Sequence, residues 1–296
     1  MHLATLKRGG HLECAAMLEG GDALRLGDAF ASLQALIEGG RAALDRVRGM
    51  VAYADKTPQL IVRASDVELA APLPRPAKNV FCVGRNYAEH IAEGERAQKI
   101  KIGVAENPIF FTKPTTTVVG PGANVPLFPH VSTQIDYEVE LAVIIGKPGR
   151  DIPRDRAYEH VFGYTIVNDV SARDVQRRHG GQFFKGKALD GSCPMGPWIV
   201  TADTVPSPGN LGIRLRVNGE LRQNGNTSAM IFDIPTLIAS LSAGLTLEPG
   251  DILATGTPSG VGYAMEPPCF LKDGDVVECE IDGLGKLTNG FATAHK

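Results

Sequence analysis

Two carboxylates stand two residues apart in Asp136-Tyr137-Glu138-Val139-Glu140-Leu141. On a β-strand, residues i and i+2 point to the same face. Glu138 and Glu140 would then stand side by side on an otherwise apolar strand. Buried and unpaired, they would repel each other and be costly to desolvate. A hard divalent cation resolves both problems, because carboxylate oxygens suit Mg²⁺, Mn²⁺ or Ca²⁺. The competing reading is an exposed strand face with solvated acids, and Asp136, of the same parity, adds weight to it. Asp169 follows the apolar run 164–167 and precedes Val170-Ser171-Ala172-Arg173. It suits a third ligand and equally an N-cap for 171–178. His90 and Glu93 form an HxxE pair. Positions i and i+3 are neighbours on a helix, and a carboxylate beside a histidine orients the ring and supports its charged form, as a general base requires. A surface pair at helical spacing has the same pattern. The glycines of 255–262 let backbone N–H groups approach ligand oxygens, or serve tight turns.

The motifs of other chemistries are missing from the sequence. Gly256, Gly260 and Gly262 are spaced GxxxGxG rather than the dinucleotide GxGxxG, and Gly186-Lys187 is followed by Ala188 rather than the Ser/Thr of a phosphate loop. GxSxG and HExxH do not occur. The five cysteines include no CxxC, which disfavours structural zinc and a disulfide scaffold. Basic residues number 30 and acidic residues 33, so the net charge of −3 offers no basic excess for nucleic acid or an acidic membrane. Unbroken apolar runs stop at five residues, such as 141–145, against about 20 for a membrane span. The stretch behind Lys7 and Arg8 is short and contains Glu13, unlike a signal peptide. A cytoplasmic protein without nucleic-acid or membrane partners is expected.

The elements that must position these residues are mostly strands. The chain has 296 residues, 43% of them apolar, with 34 glycines and 20 prolines. Gly9-Gly10 and Gly20-Gly21 punctuate short apolar runs as hairpin turns do. Helical spacing over 28–48 predicts a helix with Asp28 as N-cap. Three prolines within 72–76 can neither pair in a sheet nor continue a helix. The expected organisation is a small α+β domain at 1–71, a proline-rich linker at 72–76 and a larger β-rich domain at 77–296. Strands are predicted over 137–145 and 276–281, and a hairpin over 213–223 around Asn218-Gly219. Helices are predicted over 88–101, 153–160 and from Asp233 to Leu241, with Gly244 closing the last.

Six stretches occur in one order: Phe81-Cys82-Val83-Gly84-Arg85-Asn86-Tyr87-Ala88-Glu89-His90; DYEVEL; NDVSARDVQ; Lys187…Cys193-Pro194-Met195-Gly196-Pro197; VNGELRQ; and Gly250-Asp251…Thr255-Gly256-Thr257-Pro258-Ser259-Gly260-Val261-Gly262. On these the chain resembles the fumarylacetoacetate hydrolase family over about residues 77–290. The resemblance implies a mixed β-roll catalytic domain after the small N-terminal α+β domain, an α+β, β-rich fold overall, and a homodimer. It implies Glu138, Glu140 and Asp169 as ligands of Mg²⁺ or Mn²⁺, with Ca²⁺ an acceptable substitute in a crystal. A fourth acidic ligand of the long-chain founding member corresponds here to Val83. His90 matches a water-activating histidine, Glu93 its partner and Lys187, six residues before Cys193-Pro194, an active-site lysine. Gln176 matches a substrate-contacting glutamine, Arg85, Arg173 and Thr257 are candidate carboxylate contacts, and the charged, helix-prone stretch 92–106 suits a lid that orders over bound substrate. The first expectation is hydrolysis of a C–C bond in a β-diketo acid such as an acylpyruvate. The alternatives on the same metal–enolate chemistry are oxaloacetate decarboxylation and isomerisation of a 2-hydroxy-dienedioate.

Overall fold

In the computed structural model, which describes residues 1–294, the strand Val139–Ile145 lies inside an eleven-stranded sheet and all its residues are buried. Its parity organises the fold. Leu141, Val143 and Ile145 pack with Ile213, Leu215, Val277, Cys279 and Leu287 of a second, five-stranded sheet. Ala142 and Ile144 pack on the other face with Leu33, Leu36, Ile37 and Val47 of the N-terminal helices. A strand covered on both faces reads as a continuous apolar run, and this one interrupts that run only at Glu140.

The large sheet runs in the order 61–62, 23–25, 11–17, 2–8, 193–201, 161–168, 139–145, 252–254, 80–84 and 109–113, with 118–119 joined to 193–201 off that path, so that His2–Arg8 pairs with Cys193–Thr201. The first 71 residues therefore continue the sheet of the remainder. Both glycine pairs lie at turns, Gly9-Gly10 between His2–Arg8 and His11–Met17, Gly20-Gly21 before Ala23–Arg25. The stretch 72–76 carries no helix or strand, and its Pro72 carbonyl accepts from Thr5 Oγ1 at 2.8 Å.

The predicted helix 28–48 is two helices, Leu33–Glu38 and Gly40–Ala52, and its cap is Ser32 rather than Asp28. The Ser32 hydroxyl accepts from the Ala35 N–H, and Gly40, at φ +57°, breaks the run. The expected hairpin is Gly212–Val217 paired with Glu220–Asn226, with Asn218 and Gly219 both at positive φ, as a type I′ turn requires. Arg154–His160 is a 3₁₀ run rather than an α-helix. Asp233 caps Ile234–Ser242 by accepting from the Thr236 N–H at 2.9 Å. The helix expected over 88–101 spans Ala88–Gln98 and ends at Lys99, whose φ is +54°. No helix among the described residues is long and apolar enough to cross a membrane.

Candidate metal centre and acid–base pair

Strand pairing brings the three predicted carboxylates together. Val139–Ile145 pairs antiparallel with Val161–Asn168, with Val139 opposite Asn168. Each strand thus delivers the residue beyond that pair, Glu138 on one and Asp169 on the other, to the same end of the sheet. Two hydrogen bonds fix the junction: Asp169 N–H to the Glu138 carbonyl (2.8 Å) and Glu138 N–H to Asn168 Oδ1 (3.0 Å). One oxygen from each of Glu138, Glu140 and Asp169 lies within 4.8 Å of the others, and all three residues are buried. The solvated-face reading does not describe this strand. Nor does Asp169 cap a helix: Arg173–Arg178 begins after Ala172 without a side-chain cap.

Three buried cations meet three of the site's four buried carboxylates. Lys187 Nζ donates to Glu138 Oε2 and Asp169 Oδ2, both at 2.6 Å. Arg173 donates from Nη2 to Glu138 Oε1 (2.6 Å) and from Nε to Asp136 Oδ2 (2.8 Å). Lys113 Nζ donates to Asp169 Oδ1 at 2.8 Å. Glu140 differs: it accepts from the Gly256 N–H at 2.9 Å, and among the described residues no lysine or arginine pairs with it. With all four carboxylates ionised, the set Asp136, Glu138, Glu140 and Asp169 against Lys113, Arg173 and Lys187 sums to one negative charge. Burial alone would raise the Glu138 pKa, but Lys187 and Arg173 outweigh it and hold the carboxyl below the ordinary range. Burial, reinforced by Asp169 and Glu138, pushes Glu140 well above that range. A divalent cation supplies what Glu140 lacks, and the all-oxygen donor set suits Mg²⁺ or Mn²⁺.

His90 lies in the first turn of Ala88–Gln98 and lines a cleft that reaches Glu138, Glu140 and Lys187. Its Nδ1 is 2.7 Å from Glu93 Oε1, and the Gly260 N–H donates to Glu93 Oε2 at 2.8 Å. A Cβ at residue 94 would lie 2.6 Å from the Tyr263 hydroxyl, so glycine lets the helix sit against Tyr263 without displacing it. Since a carboxylate only accepts, the ring proton belongs on Nδ1, which leaves Nε2 as the basic nitrogen.

The other predicted contacts divide into two groups. Arg85 and Gln176 line the cleft. Arg85 has a positive φ of 58°, its guanidinium lies over the Phe183 ring at 5.6 Å, and no described carboxylate pairs with it. Such a non-glycine outlier beside a site is where functional strain is found. Arg173 and Thr257 also line the cleft, but Arg173 Nε and Nη2 and the Thr257 hydroxyl already hold protein partners. Arg173 is tied to two carboxylates and stacked 4.5 Å from the Tyr263 ring. The Thr257 hydroxyl donates to the Val139 carbonyl (2.9 Å) and accepts from Gln223 Nε2 (2.8 Å). Lys187 is buried while Lys185 is exposed. Val83 lines the cleft wall. Burial pushes the Cys193 thiol up to about 12, away from nucleophilic use.

Three buried groups of the site escaped sequence reasoning: Lys113, Asp136 and Gln223. Asp136 shares the parity of Glu138 and Glu140, a signal read above as evidence of exposure. Lys113 and Gln223 carry no local signal, because their partners lie 56 and 34 or more residues away.

The family described as fumarylacetoacetate (FAA) hydrolase C-terminal matches residues 79–292. The chain is 51% identical over 236 residues to oxaloacetate tautomerase YisK of Bacillus subtilis, covering 79% of this chain and 76% of that one. Among solved structures it is similar to a fumarylacetoacetate hydrolase of Exiguobacterium antarcticum, at 41% identity, a TM-score of 0.83 and coverage of 99% and 100%. It is also similar to maleylpyruvate hydrolase of Sphingobium sp. SYK-6 in complex with manganese(II) and pyruvate, at 32% identity and a TM-score of 0.79, with both chains covered in full.

Proposed function

Because the chain belongs to the fumarylacetoacetate hydrolase family, we propose that it is a metal-dependent tautomerase interconverting the keto and enol forms of oxaloacetate. The observation that carries this reading is the oxaloacetate tautomerase at 51% identity, set against hydrolase-named structures at 41% and 32%. Hydrolysis of a C–C bond, expected first from the sequence, gives way to its alternatives. The reading takes the substrate of one alternative, oxaloacetate, and the chemistry of the other, isomerisation without cleavage.

Glu138, Glu140 and Asp169 would hold Mg²⁺ or Mn²⁺, which supplies Lewis-acid polarisation of the 2-oxo group. With Glu140 ionised, four carboxylates, three cationic side chains and a divalent ion would sum to one positive charge, which suits an anionic substrate. Lys187, pinned between Glu138 and Asp169, is a fixed positive charge for the enolate oxygen. His90 Nε2 takes a proton from C3, and the imidazolium, supported by Glu93, delivers that proton to the oxygen at C2. One C–H bond breaks and one O–H bond forms; no water is consumed and no carbon bond changes. The free guanidinium of Arg85 suits the far carboxylate, with Gln176 beside it. We place this activity in a cytoplasmic homodimer.

The test is to follow the near-ultraviolet absorbance of the enol with Mg²⁺, with Mn²⁺ and with EDTA, while assaying CO₂ and pyruvate. Metal-dependent acceleration toward the same equilibrium from either tautomer, with no CO₂, is expected. CO₂ release, or cleavage of an acylpyruvate into pyruvate and a second acid with no effect on tautomer exchange, would overturn the proposal.

A further inference from the structure

One buried charged side chain at the site has no part in the chemistry above. Lys113 ends the strand Ile109–Lys113 and is 0% exposed. Its ammonium has three hydrogens, and three acceptors receive them: Asp169 Oδ1 at 2.8 Å, the Lys187 carbonyl at 2.6 Å and the Val170 carbonyl at 3.1 Å. It does not line the cleft, so it has no substrate to touch and no spare hydrogen to offer one.

Its contacts nonetheless close a ring. Lys113 holds Asp169 by one oxygen. The other oxygen of Asp169 accepts from Lys187 Nζ at 2.6 Å, and the backbone of Lys187 returns to Lys113. The Lys187 carbonyl also accepts from Ser192 Oγ at 3.1 Å, which anchors the end of the short helix Phe183–Lys187 from a second side. A carboxylate gripped at one oxygen by a desolvated ammonium loses its rotation about the Cβ–Cγ bond. Its second oxygen is then presented in one direction, toward Lys187 Nζ, which it shares with Glu138.

We propose that Lys113 is a positioning residue that sets the direction of Asp169 and the height of Lys187, and through them the geometry of the cation site. This rests on the reading of Asp169 as a metal ligand. Outer-shell partners of metal ligands are worth roughly 10–100-fold in metal affinity or activity when removed. A residue serving only to neutralise Asp169 has the opposite signature: without it the local field becomes more negative and a cation binds more tightly.

The sign of the change therefore decides the matter. Mn²⁺ is titrated into the wild-type protein and Lys113→Met, and the free ion is followed by electron paramagnetic resonance, with no substrate present. Positioning predicts binding weaker by about 10–100-fold in the variant, together with a lower kcat at saturating Mn²⁺ and little change in KM. Affinity within about threefold of wild type, or tighter binding, overturns the role of Lys113. Wild-type protein that binds no Mn²⁺ overturns the metal reading beneath it. Should Lys113→Met fail to fold, Lys113→Gln carries the same titration. Failure of both to fold assigns Lys113 to the fold rather than to the site and overturns the proposal.

Discussion

Replacing Glu93 by glutamine separates the acid–base pair from the rest of the site. Glu93 is 8% exposed and both its oxygens are engaged, one with His90 Nδ1 at 2.7 Å and one with the Gly260 N–H at 2.8 Å. Glutamine keeps the shape and loses one acceptor. If its oxygen stays on Gly260, the amide NH₂ faces His90 Nδ1, which must then accept, and the ring proton moves to Nε2. If the amide turns over, two donors meet at Gly260. Either way one hydrogen bond to a charged group is lost, about 1.5–3 kcal/mol. At ~1.4 kcal/mol per factor of ten, that is roughly a ten- to hundredfold loss in rate. A neutral ring with its proton on the wrong nitrogen extends the loss toward the full worth of a general base, about 10²–10⁴-fold. The expected outcome is a kcat lower by on the order of 10²-fold, with KM and Mn²⁺ affinity near wild type, because none of these hydrogen bonds reaches Glu138, Glu140 or Asp169. The assay is decay of the enol absorbance at saturating Mn²⁺, with thermal melts to confirm folding. A kcat within about threefold of wild type, or a defect confined to Mn²⁺ affinity, would refute the role given to the pair.

Three further expectations follow from the charges. Glu140 is raised by burial, with Asp169 and Glu138 adding to it, so the metal-free folded protein keeps a proton that the unfolded chain releases near pH ~4. Through Glu140, metal-free stability falls as pH rises from that range toward the raised folded value. Glu138, whose folded pKa is depressed despite its burial because Lys187 and Arg173 prevail, acts in the opposite sense: its contribution is present above the ordinary carboxylate range and lost as pH falls through the depressed value. Mn²⁺ should displace the Glu140 proton, tightening with pH and releasing up to about one proton per ion. Calorimetry in buffers of different ionisation enthalpy reads this directly, and proton-neutral, pH-independent binding would contradict it. Arg85→Ala should raise KM for oxaloacetate by about 10–100-fold, the worth of a charge-assisted contact of about 1.5–3 kcal/mol, and leave the enol of pyruvate, which lacks the far carboxylate, unaffected. Equal loss on both substrates would remove Arg85 from carboxylate recognition.

Much of the site was legible because its signals are local. Glu138 and Glu140 are two apart, Glu140 within Val139–Ile145 and Glu138 just before it, and that spacing sets both toward one side. His90 and Glu93 are three apart on one helix, and the 2.7 Å contact is what that spacing predicts. Asn218-Gly219 made a hairpin turn and Asp233 capped a helix by the same short-range rules. Local rules also misled where two readings shared one pattern. Asp28 was the expected cap, but residues 26–31 turn back through the Ala29 and Phe30 N–H groups to the Leu26 carbonyl, and Ser32 holds the cap instead.

Tertiary structure decided the remainder. Asp169 suited a ligand and a cap equally until the register of Val139 against Asn168 set it beside Glu138. Asp136 has the parity of an exposed acid, yet Arg173 pairs with it in the interior. Lys113 meets Asp169 across 56 residues of chain, and nothing near it in sequence announces the contact. The sequence by itself determined the donor types, their faces on strand and helix, and the family. Only the fold decided which buried charges meet, because the energy of a charge in the interior depends on partners brought from distant strands and not on its neighbours along the chain.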